Sequence, residues 1–310
     1  MTPLKRLVAV LALAGLALVP VAGGTQARPP SPATLLARHA PIIVLHPAER
    51  FRPVPVDGYL TDSDLQRKTP MGWEKVAGPL PAGGAEPRLN QRLCRAVEGI
   101  AASPCYAQAE AAHAAVPVIY GAVLRAKNRI DLQYWLWYPY NDYSPTVPAG
   151  DVWQVHEGDW ESVSVVLDEH AKPLFVGLSE HCAGARREWV KVARQGTRPI
   201  VYAALGSHAN YFGVGTYRHS PSCWPPELRD IVRSLKLVDH TEAGQRLRSR
   251  LVPATSTRPS WMRFAGLWGE DGYVHFPTND PIAYRGSPHS PPFQDQWRSP
   301  VTEELSWPRG

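Results

Sequence analysis

In two stretches in the middle of the chain, two kinds of side chain alternate from one residue to the next, which gives a period of two. Over residues 130–138, Ile, Leu, Tyr, Leu and Tyr alternate with Asp, Gln, Trp and Trp, and over residues 160–167 the odd positions are mostly aliphatic. This period is typical of β-strands, because successive side chains point to opposite faces. A further strand is predicted over residues 118–125, and Asn128 between it and the first stretch indicates a β-hairpin.

The rest of the chain adds more short strands and few helices. Further strands are predicted over residues 41–46, 56–60, 173–179, 188–193, 199–205 and 261–268. Short helices are predicted over residues 34–39, 225–237 and 244–251, with one or two more inside 89–114. The chain also has 11 Trp and 32 Pro residues, a composition that favours β-structure with long ordered loops. We therefore predict a mainly β fold, an antiparallel β-sandwich with long Pro-rich loops and a few short helices.

The N-terminus has the pattern of a secretory signal. Lys5 and Arg6 precede an apolar run over residues 7–21, and Thr-Gln-Ala at 25–27 resembles a cleavage site. The run of about 15 residues is short for a membrane span, although a retained anchor is the alternative. We predict that residues 1–27 are a cleaved signal peptide, that 28–310 form a single domain, and that the protein is secreted or periplasmic.

Charge and cysteine usage narrow the function classes. The net charge of +5 falls by two without the signal, which is too mild and too scattered to indicate nucleic-acid binding. Four cysteines in an exported chain suggest two disulfides, with three possible pairings. The spacings match no zinc motif and favour the pairs Cys94–Cys105 and Cys182–Cys223.

The most informative polar motif, His-Glu-Gly-Asp-Trp-Glu, occupies residues 156–161. On a strand, Asp159 and Glu161 share a face, about 6–7 Å apart, close enough to hold one cation between them. His156 precedes them in a predicted turn, where Gly158 permits a tight bend. Carboxylates at the edge of an apolar face are costly unless they are paired or bind a metal. The motif therefore predicts a metal or acid/base site, with a plain turn and an arginine-paired carboxylate as the alternative.

Other polar residues are candidates for the same site. Asn141 and Asp142 follow the strand over residues 130–138 and offer oxygen donors, or are ordinary turn residues. A strand ending in Gly-Ser-His presents His208 as a ligand, a general base or a structural histidine, whereas Ser207 lacks the G-x-S-x-G pattern of a nucleophile. His181 lies next to Cys182, and a role beside a disulfide is the favoured interpretation.

Five segments, in this order, together resemble the vacuolar protein sorting-associated protein 62 family. They are residues 40–51 (APIIVLHPAERF), 134–141 (YWLWYPYN), 156–161 (HEGDWE), 202–211 (YAALGSHANY) and 264–269 (FAGLWG). The resemblance covers residues 40–292, and the ordered set is more specific than any single segment.

The chain also distantly resembles the necrosis- and ethylene-inducing-like proteins. That family has a Tyr-x-Trp-Tyr-x-Pro strand followed by His-x-His-Asp-Trp-Glu. The resemblance implies a secreted β-sandwich that binds a divalent cation and sphingolipid head groups. It places His156, Asp159 and Glu161 on the first His, the Asp and the Glu, and Asn141 where the family has an acidic ligand. Gly158 replaces the second His.

Three functions remain open at this point. The first is a binding protein whose divalent cation, calcium or magnesium because oxygen donors dominate, joins Asp159 and Glu161 to a lipid or carbohydrate head group, with possible peripheral membrane contact. His156 and His208 then bind the cation directly or through water. The second is a metal-dependent hydrolase of phosphoesters or glycosides with His208 as the base. The third is a structural envelope protein without a working site. Four tryptophans near these motifs have two possible roles, as stacking surfaces for a ligand or as core residues: Trp135, Trp137, Trp153 and Trp160.

Overall fold

The structure, a computed structural model, describes most of the chain after residue 28. The described ranges are 29–83, 87–94, 99–113, 116–126, 128–181, 183–224, 226–277, 280–284 and 286–298. The described residues from Ser31 onwards cluster as one compact unit. The predicted signal peptide lies outside the described residues, and so the signal and the location that follows from it stay predictions.

The elements are mainly strands. The helices are α1 Pro32–His39, α2 Val56–Asp62, α3 Ser103–Ala112, α4 Arg229–Leu235 and α5 Asp295–Arg298. The strands in the first half are β1 Ile42–Leu45, β2 Ser63–Thr69, β3 Gly72–Lys75, β4 Arg88–Gln91, β5 Val118–Ala126, β6 Arg129–Tyr143, β7 Thr146–Val147, β8 Gly150–Asp151 and β9 Trp153–Asp168. The strands in the second half are β10 Pro173–Glu180, β11 Ala183–Glu188, β12 Arg194–Gln195, β13 Arg198–Ala203, β14 Asn210–Tyr211, β15 Gly215–Arg218, β16 Val238–Thr241, β17 Arg250–Pro253, β18 Gly272–His275 and β19 Ile282–Tyr284.

One large sheet organises the domain. Its strands run in the order β11-β10-β9-β6-β5-β17, and β18, paired with β19, also joins β9. A smaller sheet, β1-β13-β12 with β14 beside β13, packs on one face of the large sheet. Aliphatic side chains of both sheets, such as Ile43, Val201, Leu132 and Val163, share one buried core. The predicted mainly β sandwich is confirmed; pairing is mostly antiparallel, with the parallel pairs β1–β13 and β5–β17.

The opposite face of the large sheet holds an aromatic core. Trp135, Trp137 and Trp160 of β6 and β9 pack there with Trp261 and Trp268 from the C-terminal loops. Rings at centroid distances of about 4.5–7 Å in tilted or edge-on arrangements gain more than their buried area alone supplies. This arrangement explains why aliphatic and aromatic side chains alternate along β6 and β9: one face of each strand packs on the aliphatic core and the other on the aromatic core.

The central strands extend further than the alternation predicted. β6 continues through residues 139–143, and β9 begins at Trp153, before the motif at 156–161. The motif is therefore not in a turn that precedes a strand but inside the longest strand. Asn141 pairs with His156 across the ladder, and Tyr138 pairs with Asp159.

Four local predictions were wrong, each because tertiary packing overrides local pattern. Residues 56–60 lie in a helix, where Val56 and Tyr59 point together into the core. Residues 189–191 form a 3-10 turn after β11, and residues 260–263 form another. Residues 244–251 form no helix, because that segment runs extended beside β1 and exchanges backbone hydrogen bonds with Ile43 and Leu45.

The disulfide prediction is confirmed where the structure describes it. Cys94 and Cys105 are bonded and join the loop after β4 to α3. Cys223 is also disulfide-bonded, but Cys182, its predicted partner, lies outside the described residues. None of the helices in the described part of the chain is both long and apolar enough to cross a bilayer.

Candidate functional site

A polar cavity of about 330 Å³ opens beside the paired strands β6 and β9. Four of the five predicted ligand residues line it: Asn141, His156, Asp159 and Glu161. The remaining wall includes Ser179 and His181 from the adjacent end of β10, and Ser207 from the turn after β13. This cavity therefore brings together Asn141 and three residues of the motif, His156, Asp159 and Glu161.

Gly158 explains how His156 and Asp159 line the same cavity. Residues three apart on a regular strand point to opposite faces, but Gly158 adopts a left-handed conformation with φ of +67°, which interrupts the alternation. Glycine reaches this conformation without strain. Space also requires it, since a Cβ at this position would lie 2.1 Å from the carbonyl oxygen of Trp268.

His208 meets the motif from behind the cavity. Its Nδ1–H donates to Oδ2 of Asp159 at 2.9 Å, and its Nε2 lies 3.5 Å from Oε1 of Glu49. The ring is stacked face to face on Tyr138, with centroids 3.9 Å apart, and the side chain is completely buried. The predicted meeting of two segments about fifty residues apart is therefore present in the structure.

The charges around His208 are set by this arrangement. Burial opposes protonation of the imidazole, but the carboxylates of Glu49 and Asp159 outweigh it and raise the pKa of His208 to about 10. Burial likewise disfavours ionisation of Glu49, yet the imidazolium holds the pKa of that carboxyl below its usual value. The backbone amides of Phe51 and Gly206 also donate to Glu49. The imidazole of His208 is therefore held in its protonated form at neutral pH, in contact with the carboxyl groups of both Glu49 and Asp159.

Glu161 lies beside this chain in a different environment. Burial raises the pKa of Glu161 well above its usual range, and the neighbouring charge of Asp159 adds to the effect. The hydroxyl of Ser179 donates to its carboxyl group. Among the described residues, no arginine forms an ion pair with Asp159 or Glu161, which removes the arginine-paired alternative for that part of the chain.

His156 is held as a neutral ligand-type imidazole. Its Nδ1 lies 2.8 Å from the carbonyl oxygen of Gly158; because a carbonyl only accepts, Nδ1 carries the proton and Nε2 keeps its lone pair. Burial lowers the pKa of His156, which also favours the neutral form. A histidine fixed in one tautomer by a backbone carbonyl is the usual arrangement of a metal ligand.

The structure places the other candidates differently. Asn141 accepts from the backbone amide of Tyr143 and donates to the carbonyl of Ser207, so it also holds the turn after β13 in place. Asp142 points away from the cavity, towards Ser103 and Arg50.

The proposed aromatic stacking surfaces are mostly core. Trp137 is fully buried, and Trp153 stacks on His275. Trp135 and Trp160 are almost completely buried in the aromatic core, although their edges contribute to the cavity wall. Trp135, Trp137 and Trp160 are therefore core residues, and a ligand in the cavity could touch only the edges of Trp135 and Trp160.

Sequence reasoning missed several residues that shape the site. Glu49 lies in the segment 40–51, but nothing local indicated its pairing with His208. Asp239, completely buried, accepts hydrogen bonds from His181, Ser207 and Tyr211. The hydroxyl of Ser207 is thereby committed to Asp239, in agreement with the weak evidence for a nucleophile.

Asp159, Glu161 and His156 place two carboxyl groups and one imidazole on the wall of one cavity, and calcium and magnesium favour sites in which oxygen donors outnumber nitrogen donors. The donor atoms of these three residues are not gathered into one cluster: within the described residues, only His181, His219 and Asp239 bring three such atoms within 4.8 Å of one another. The imidazolium of His208 would fix the orientation of Asp159, as outer-shell partners commonly do for ligating carboxylates.

Comparison with known proteins gives the family. The sequence model of vacuolar protein sorting-associated protein 62 matches residues 31–282, most of the chain. The chain belongs to the Vps62 family. Two yeast relatives, both from Saccharomyces cerevisiae, are the putative vacuolar protein sorting-associated protein TDA6, 25% identical over 211 residues, and vacuolar protein sorting-associated protein 62, 23% identical over 221 residues.

The match to these two Vps62-family proteins is partial in length. It covers 57% of this chain and 44% of TDA6, and 62% of this chain and 46% of the second relative. The aligned part thus spans less than half the length of the curated relatives that the chain matches.

Solved structures similar to this Vps62-family chain are distant. The structure of NLPPya in complex with mannosamine is 14% identical with a TM-score of 0.40, covering 89% of this chain and 92% of that one. The structure of the non-toxic HaNLP3 protein is 13% identical with a TM-score of 0.32, covering 72% and 76%. NLPPya in complex with glucosamine is 14% identical with a TM-score of 0.33, covering 72% and 75%.

Proposed function

We propose that this Vps62-family protein binds a divalent cation, calcium or magnesium, in the cavity beside β6 and β9, and uses it to hold a carbohydrate or lipid head group. The observation that carries the proposal is the convergence of Asp159, Glu161 and His156 on one cavity, with His208 buried against Asp159. Three protein donors leave coordination positions of a six- to eight-coordinate cation open to ligand oxygens.

The size of the cavity limits the ligand. A volume of about 330 Å³ lies at the small end of ligand pockets, which suits a single sugar or a lipid head group better than a long chain. Polar side chains on several sides offer hydrogen bonds to hydroxyl groups: Gln154 can donate or accept, and the hydroxyl oxygens of Ser179 and Ser207 can still accept. The resemblance of the motif at 156–161 to cation- and head-group-binding proteins points to the same ligand class.

The geometry favours binding over hydrolysis. A general base must come within hydrogen-bond reach of the substrate, but His208 is completely buried and both ring nitrogens face carboxylates. A molecule in the cavity meets Asp159 before it meets His208. His208 is better placed to position Asp159 than to accept a proton from a substrate.

The test is sugar binding with and without the cation. Mannosamine and glucosamine, the sugars present in two of the distant solved structures, are the first probes, measured by isothermal titration calorimetry in calcium, in magnesium and in chelator. We expect binding that requires the cation and is lost in Asp159→Asn but kept in Asp151→Asn, a matched change at an exposed carboxylate.

Vesicles carrying a glycosylated lipid give a second arm. Cation-dependent binding to these vesicles, without binding of the free sugars, would identify the lipid head group as the ligand. If the protein binds neither the free sugars nor the vesicles in the presence of either cation, the proposal is contradicted and a structural role is favoured.

A further inference from the structure

A second cluster of metal-type side chains lies beside the cavity, around Asp239 of β16. Nε2 of His181 lies 2.8 Å from Oδ2 of Asp239, and Nε2 of His219 lies 3.2 Å from Oδ1. All three donor atoms lie within 4.8 Å of one another. We propose that His181, His219 and Asp239 form a separate site for a transition metal of the zinc type.

The spacing of the donor atoms suits such an ion. Zinc binds imidazole nitrogen and carboxylate oxygen at about 2.0–2.2 Å, so neighbouring ligand atoms of a tetrahedral site are about 3.3 Å apart. The separations of 2.8 and 3.2 Å join the two imidazole nitrogens to different oxygens of Asp239, and each is within about half an ångström of this spacing. Two imidazoles and one carboxylate are a zinc-type donor set rather than a calcium-type one.

His219 supplies an independent indication. Its side chain is 2% exposed, and within the described residues its Nε2 makes no hydrogen bond in spite of its closeness to Asp239. A buried ring nitrogen whose one polar neighbour is poorly aligned for a hydrogen bond carries a desolvation cost, which a bound metal would remove. The ring is held in place from its faces by Tyr143, at a centroid distance of 4.8 Å, and by Trp224.

The surroundings of Asp239 resemble the outer shell of a metal site. The hydroxyls of Ser207 and Tyr211 each donate to one of its oxygens at 2.6 Å, and ligating carboxylates are usually fixed in this way. His181 and Ser207 also line the polar cavity. Three protein ligands beside a cavity suit a zinc site that keeps its fourth position for water or a ligand.

The experiment uses cobalt as a spectroscopic substitute for zinc in the full chain. Protein stripped with chelator is titrated with Co²⁺, and visible absorption is recorded, because four-coordinate cobalt absorbs much more strongly than octahedral cobalt. We expect an intense band that saturates at one ion per chain and is displaced by Zn²⁺. Loss of an outer-shell partner costs about 10–100-fold in affinity, so loss of a ligand in His219→Gln should cost at least about 100-fold.

Three further variants make the outcome decisive. His181→Gln, at a partly exposed position, should also lose the band, whereas the matched change His170→Gln, at a side chain that is 83% exposed, should keep it. Asp159→Asn should keep the band too, since it removes only the calcium- or magnesium-type site. No intense band in the wild type, or a band that survives in His219→Gln and His181→Gln or disappears only in Asp159→Asn, would overturn the proposal.

Discussion

Replacement of His208 by glutamine should destabilise the fold strongly, because it removes the buried imidazolium that lies between the carboxyl groups of Glu49 and Asp159. His208 lies 2.9 Å from Asp159 and 3.5 Å from Glu49 and is completely buried. Removing one member of a buried ion pair costs about 3–5 kcal/mol. Glutamine keeps a similar length and can still donate one hydrogen bond, so the loss is chiefly that of charge.

The pKa of His208 gives a second route to the magnitude and adds a pH dependence. Burial opposes its charge, but Glu49 and Asp159 raise the pKa from 6.5 to about 10. A histidine with a raised folded pKa contributes stability that is complete below 6.5 and is lost as the pH rises through 10. Linkage then gives about 4 kcal/mol at pH 7 and about 1–2 kcal/mol at pH 9, and the pH 7 value agrees with the range for a broken buried pair.

Urea unfolding of the wild type and His208→Gln at pH 6, 7 and 9, in chelator, measures these free energies. We expect the variant to lose about 4 kcal/mol at pH 7 and roughly 3 kcal/mol less at pH 9 than at pH 6. His170→Gln, which changes an exposed histidine in the same way, should change stability by less than about 0.5 kcal/mol. A cost below about 1 kcal/mol at pH 7, or one that is equal at pH 6 and 9, would refute the reasoning.

Two further predictions concern the frame of the site. Gly158→Ala places a Cβ 2.1 Å from the carbonyl oxygen of Trp268 at a φ of +67°, whereas Gly196→Ala has nearly the same φ, +61°, and open space around its Cβ. Thermal unfolding should show a loss of stability of about 1 kcal/mol for Gly196→Ala and at least about 3 kcal/mol for Gly158→Ala. Equal losses in the two variants would show that crowding at position 158 is unimportant. Burial, only partly offset by Arg52, raises the pKa of Glu110 from 4.5 to about 7, so its contribution to stability is present below pH 4.5 and lost as the pH rises through 7. Glu110→Gln should therefore gain about 2–3 kcal/mol relative to the wild type between pH 5 and pH 8 in urea unfolding, and a gain that does not change with pH would contradict this.

The two central strands could be predicted from the sequence because their side chains alternate with the period of a β-strand. The alternation over residues 130–138 and 160–167 predicted the two central strands, because both faces of those strands are buried against different cores. The same argument placed Asp159 and Glu161 on one face. It did not reveal that the strand already contains His156, because the left-handed Gly158 hides the continuity of β9.

The parts that the sequence could not predict depend on contacts between distant segments. Glu49, His219 and Asp239 lie in stretches with no local signal for a site, and only the packing of the small sheet and the pairing of β15 with the distant strand β16 bring them near the cavity. The helix at 56–62 was missed for a similar reason, since its buried residues Val56 and Tyr59 are too few to establish a helical period.

Calcium and magnesium binding to the wild type and Asp159→Asn, measured by isothermal titration calorimetry on chelator-treated protein, tests the central claim most directly. If the cavity is a cation site, the wild type binds one of these ions per chain, and Asp159→Asn binds it at least about 100-fold more weakly, because a ligand is lost. Absence of binding in the wild type, or equal affinity in the two proteins, would contradict the claim that the motif at 156–161 holds a cation.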